Sequence, residues 1–324
     1  MTRTDFLALA GRLCLTAHMS KLSGYAGPSA RSNPNPYLWH QYTGTRFVIT
    51  AQTLLDLEYL IAYADPASSW ARTPAAALYN GLHAPDADFN LLLQRLRYPI
   101  SRASNPETLK SGLRTCLTDL ADEIAGDLLS LFDTYTTEIL PAHAELFSSA
   151  FATVDKDLRP REAELFDAVI ETLHLRMPFP VEMFFVGHGT VFGAFTSQPS
   201  LSVIDVSRNA GLNLIETILH ESVHGVERLN ANNQSAYALL RRELSSRGLQ
   251  RDTEAAWHAL IFWNSASIIK QKIDPAYVDY GETFGVYDRA FKTQVVALRV
   301  VWNQYLQGDL SLSKAISLYV DKLT

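Results

Sequence analysis

Through the first half of the chain, apolar residues return at the spacing of a helix face. Phe6, Leu7, Ala10, Leu13 and Cys14 share one face with Arg12 off it, which predicts an amphipathic helix over residues 6–17. Residues 23–46 carry three prolines, three glycines and two Asn-Pro steps, and read as a long loop. From Phe47 to Tyr63 the pattern is helical, with Leu54, Leu55, Leu57, Leu60 and Ile61 available for burial. Further helices are predicted near 86–97, 107–132, 134–153 and 161–176, with Pro160 placed to open the last of these and Glu162 and Glu164 on its exposed first turn.

The texture changes near residue 178. Pro178 to Val186, Thr190 to Ser197 and Leu201 to Val206 are short apolar runs separated by Gly187-His188-Gly189 and Gln198-Pro199-Ser200, and they predict strands. Helical spacing then resumes over Asn209–Leu229, with Leu212, Ile215, Leu219, Val223 and Val226 on related faces. The prediction is an α+β fold, mostly helical, with its sheet confined to about residues 180–207. It divides the chain into a helical region, 1–175, and a region holding the small sheet and later helices, 176–324.

The helix after the strands contains His220-Glu221-Ser222-Val223-His224, the pattern H-E-x-x-H. Residues i and i+4 of a helix lie one turn apart on one face, so two imidazoles can reach one metal ion there. The flanking residues are uncharged, which predicts burial, and buried His and Glu side chains are costly without partners. The longer pattern with a glycine and a third histidine is not met, because Glu227 and Asn230 occupy those places.

A carboxylate from a later helix is the expected third ligand. Glu243 lies among Arg241, Arg242 and Arg247, whereas Glu254 opens a run, Ala255 to Ile269, without formal charge. That contrast favours Glu254. His258, one turn on, reads as an orienting partner, a substrate contact or itself the third ligand.

These parts resemble the gluzincin type of zinc metallopeptidase over roughly residues 178–270: strands, an H-E-x-x-H helix, and a second helix bearing a glutamate. The resemblance implies one zinc per chain held by His220, His224 and Glu254, with Glu221 as general base. It also implies an edge strand that pairs with the substrate backbone, for which Gly193, Ala194 and Phe195 are placed, and a neutral donor to the oxyanion. Tyr277, Tyr280, Tyr287, His188 and His258 are eligible as that donor, with Tyr280 preferred. Members of the group usually carry Glu-x-x-x-Asp where this chain has Glu254-Ala255-Ala256-Trp257-His258.

Charge and cysteine content narrow the partners. Lys plus Arg is 28 against 34 for Asp plus Glu, the wrong balance for a protein held to nucleic acid by phosphate contacts. Cys14 and Cys116 supply neither a disulfide framework nor a thiolate metal cluster, and read as small core residues. Arg12 interrupts the one N-terminal apolar stretch and no stretch is long enough to span a bilayer, so the expectation is a cytoplasmic chain without a membrane partner. The expected function is zinc-dependent hydrolysis of a peptide or peptide-like amide. The alternatives are a zinc hydrolase of a non-peptide or biosynthetic amide and a non-catalytic zinc-binding regulator.

Overall fold

The structure is a computed structural model describing residues 35–65, 67–73, 76, 96–117, 120–178, 180–189, 193–197, 201–224 and 226–323. The helix expected over residues 6–17, with Cys14, lies outside the described residues.

Where the sequence pattern reads helix from Phe47, the chain first makes a hairpin. Strands β1 (Leu38–Thr43) and β2 (Phe47–Gln52) pair antiparallel, and helix α1 (Thr53–Ala62) begins only after them. Phe47, Ile49, Thr50, Ala51 and Gln52 are all buried, because β2 lies inside the sheet with both faces covered. Such a strand shows no alternation and merges by pattern with the buried helix that follows. β1 is an edge strand whose side chains are mostly exposed, so its sequence looks like a loop.

Strands β3 (Val181–Val186), β4 (Ala194–Ser197) and β5 (Leu201–Asp205) complete a five-stranded sheet in the order β1-β2-β3-β5-β4. β2, β3 and β5 run parallel, and β4 returns antiparallel to β5 as the far edge. The expectation that the sheet is confined to residues 180–207 is therefore corrected: β1 and β2 come from the first region, and Phe47 to Ala51 pair directly with Val181 to Phe185.

Helices cover both faces. α1, α2 (Pro106–Arg114) and α3 (Ala121–Glu138) pack on Phe184, Val186 and Val203. On the other face α4 (Leu140–Thr153), α5 (Glu162–Leu173) and α6 (Leu212–His224) enclose Ile49, Met183, Phe185 and Ile204. The same core takes in α8 (Ala236–Ser246), reached through the short α7 (Glu227–Asn230), and α9 (Thr253–Lys272). After two short helices, α10 (Tyr280–Thr283) and α11 (Val286–Ala290), it is closed by α12 (Lys292–Leu306) and α13 (Leu312–Asp321). Successive residues of β3 enter opposite cores, as the two-residue period of a strand requires. The result is a mostly helical α+β fold with one small mixed sheet. Among the described residues no helix is long and apolar enough to cross a membrane.

Glu162 is not on an exposed first turn. It is 6% exposed, and its carboxylate accepts hydrogen bonds from the amides of Thr45, Arg46 and Phe47 at 2.9, 3.0 and 2.8 Å. A Cβ on Gly44 would meet that carboxylate, so the hairpin turn needs glycine there. The start of α5 thus clamps the hairpin that begins the sheet.

Candidate metal centre

Helix α6 lies between the β4–β5 edge of the sheet and helix α9. Burial from Leu214 to Val223 is nearly continuous, so its polar residues face protein rather than water. His220 and His224 project toward α9, and His258 reaches back from it. The Nε2 of His220 lies 3.0 Å from Nε2 of His224 and 3.1 Å from Nε2 of His258. One nitrogen from each of the three falls within 4.8 Å of the others.

A neutral imidazole carries one N–H, so His220 Nε2 can share at most one proton with its two neighbours, and His220 has in addition a buried Nδ1 without a hydrogen-bond partner. Burial, followed by the charge of His224, drives the His220 pKa well below that of a free imidazole. The same two causes push His258 down to about 3. Both rings are therefore neutral with lone pairs to give, which is the state a metal ion requires. Nitrogens about 2.0–2.1 Å from a tetrahedral centre are separated by roughly 3.3 Å, so the spacing fits a zinc-sized ion.

His224 differs. Burial works against its protonation, but a hydrogen bond to Glu227 and the charges of Glu221, Glu227 and Glu254 reverse the balance and raise its pKa. Glu227 Oε1 lies 3.0 Å from His224 Nδ1 and also accepts the Trp257 indole N–H at 3.2 Å. A carboxylate behind a ligating imidazole fixes the ring and its tautomer, leaving Nε2 for the metal.

Glu221 is buried beside this cluster. Its Oε1 is 4.0 Å from His220 Nε2, and its Oε2 accepts the Thr196 hydroxyl from β4 at 2.6 Å. Burial raises its pKa above the ordinary glutamate value, against the opposing effects of His224 and Thr196.

Glu254 is not brought to the cluster. It is exposed at the first turn of α9 and faces a surface groove of about 470 Å³ together with Arg241 and Arg242. The uncharged run after it is indeed buried, but Glu254 stands just upstream of that burial. The third imidazole, one turn on, is His258. Glu243 pairs with Arg247 on the outer side of α8.

Tyr280 lies between Phe262, which packs on the histidines, and the start of β4. Phe262 packs tilted against His220, with ring centroids 3.9 Å apart, and stacks on His258 at 5.1 Å, and Tyr280 stacks on Phe262 at 6.0 Å. Its hydroxyl is 2.9 Å from where a Cβ on Gly193 would sit, and Gly193 has φ +77°. Space and backbone both require glycine at that position. Ala194 and Phe195 follow in edge strand β4, and Phe195 is 37% exposed. His188 contacts the Tyr63 carbonyl at 3.2 Å, and Tyr277 donates to Asn213 and Glu216, each at 2.6 Å.

No protein-family model, curated protein or solved structure matches the chain. The geometry alone bears on the site.

Sequence reasoning passed over Glu227, Thr196, Phe262 and Glu216. Two of these carry a readable signal. Glu216, His220, His224 and Glu227 recur every three or four residues, a polar spacing that continues one helix face past the end of α6. Thr196 and Phe262 carry none, since their place beside the histidines depends on how β4 and α9 pack.

Proposed function

We propose that the protein is a zinc-dependent hydrolase of peptide or peptide-like amide bonds, with one zinc per chain held by His220, His224 and His258. The observation that carries this reading is the convergence of three imidazole nitrogens with the Glu221 carboxylate beside them and an open strand edge next to both. The third ligand differs from the glutamate that a gluzincin would use, so the reading rests on the chemistry of the site rather than on membership of that group.

Zinc, when bound, supplies Lewis acidity that polarises a carbonyl and acidifies water. Glu221 accepts a proton from water at a carboxylate oxygen and returns it to the departing amine. Its raised pKa suits both transfers, and Thr196 fixes its rotamer. The Tyr280 hydroxyl donates a hydrogen bond to the carbonyl oxygen as negative charge gathers on it. Edge strand β4 offers the Ala194–Phe195 backbone to an extended peptide by strand addition.

Elemental analysis of protein purified without added metal is the direct test, followed by a peptide-library digest with the wild type and Glu221→Gln. The expected outcome is about one zinc in both, with cleavage reduced roughly 10²–10⁴-fold in the variant. Zinc with no cleavage in either would remove the hydrolase assignment, and no zinc would remove the centre.

A further inference from the structure

Glu216 lies one helical turn before His220, is wholly buried, and has no place in the proton transfers assigned to Glu221. Its Oε2 accepts the backbone N–H of Tyr280 at 3.0 Å and the Tyr277 hydroxyl at 2.6 Å. Among the described residues the ammonium group that acts on it, Lys270, is engaged by Asp279 at 2.9 Å, and Asp279 caps α10 through the amide of Glu282. The Oε1 of Glu216 has no partner. A buried carboxyl that keeps one oxygen unsatisfied is costly, and packing alone gives no reason for it.

We infer that Glu216 is a positioning residue that ties the Tyr277–Tyr280 segment to the metal helix and so sets the Tyr280 hydroxyl over the centre. This rests on the metal-dependent reading above. The tie is short: one side chain of α6 holds the Tyr280 amide, while His220 of the same helix, one turn on, lies in the centre. The Tyr280 ring is then fixed between Phe262 and Phe284, with centroids 6.0 and 4.5 Å away, and its hydroxyl meets the start of β4 at Gly193. Metal helix, donor and substrate strand are thereby set in one register. Burial raises the Glu216 pKa to about 8, ahead of the opposing hydrogen bonds from Tyr277 and Tyr280, in keeping with a carboxyl placed for geometry rather than for charge.

The test uses cobalt-loaded full-length protein, with acetohydroxamate as a small probe of metal and oxyanion donor together. Variants are Tyr280→Phe, Glu216→Ala, Glu216→Asp and the double Glu216→Ala/Tyr280→Phe. All should bind cobalt at the wild-type ratio. Tyr280→Phe and Glu216→Ala should each weaken the hydroxamate about tenfold, the size of one lost hydrogen bond to a charged group, and the double should be no weaker than Tyr280→Phe alone. Effects that multiply, or a Glu216→Ala protein with wild-type affinity, would overturn the inference.

Should Glu216→Ala fail to fold, Glu216→Asp serves. It keeps the carboxyl but draws it back by one methylene, and it should weaken the probe several-fold and speed hydrogen exchange at the Tyr280 amide. Exchange as slow as in wild type would overturn the tie itself. A wild type that takes up no cobalt refutes the metal centre and the inference with it, an outcome distinct from faulty coupling in a cobalt-loaded protein.

Discussion

Two buried polar assemblies in this molecule obey opposite rules. At the end of β3, Asp56 is fully buried and its carboxylate accepts the Tyr135 hydroxyl at 2.5 Å, the His143 Nδ1 at 2.6 Å and the Gly187 amide at 2.7 Å. It joins α1, α3, α4 and the loop after β3, and both its oxygens are used. Around His220 the accounting fails: three ring nitrogens face one another, His220 Nδ1 has no partner, and one turn away neither has Glu216 Oε1. A satisfied network holds a fold together. One that protein atoms alone cannot satisfy marks the place where something else belongs.

The largest expected effect separates the two assemblies outright. His258→Ala should lower zinc affinity by orders of magnitude, whereas Glu254→Ala should leave it within a few-fold, as measured by competition with a chromogenic chelator. Loss of zinc in Glu254→Ala with retention in His258→Ala would reverse the ligand assignment. Asp56→Ala should do the converse. Stripping the acceptor from three buried donors should cost about 3–5 kcal/mol in urea unfolding, with zinc content unchanged. An Asp56→Ala chain that folds as well as wild type but loses its metal would show that the contrast is drawn in the wrong place.

Glu227 stands between the extremes, a satisfied carboxylate serving an unsatisfied cluster. Glu227→Ala should weaken zinc by about 10–100-fold, the usual cost of removing the partner of a ligating imidazole. A different kind of effect, one of pH, concerns Glu216. Its folded pKa of about 8 lies above the unfolded value of 4.5, so the folded state holds the extra proton between them. The stability this gives is complete below the unfolded value and is lost as pH rises toward 8, with a slope of about 1.4 kcal/mol per pH unit at most. Glu216→Gln, which cannot ionise, should lose less stability than wild type between pH 5 and 8. Parallel unfolding curves across that range would show that Glu216 ionises freely.

The same contrast explains what could be read from residues alone. H-E-x-x-H was legible because its spacing is local to one helix turn, and the strands near 181–205 because turns and apolar runs alternate there. β1 and β2 were not, since a strand buried on both faces and an exposed edge strand both lack the alternation that identifies strands. His258 over Glu254 turns on where burial begins along α9, a boundary that packing fixes and composition blurs. Glu162 looked exposed because its partners, the amides of Thr45 to Phe47, carry no side-chain signature.

The pairing of β2 with β3 has a consequence for anyone cutting the chain. A fragment of residues 176–324 would keep every histidine of the centre, yet Val181 to Phe185 would lose the strand that pairs with one edge of β3. A bare, apolar edge of that kind recruits strands from other copies. The half that carries the three histidines is therefore expected to precipitate when expressed by itself, and to become soluble when residues 35–65 are supplied in the same polypeptide.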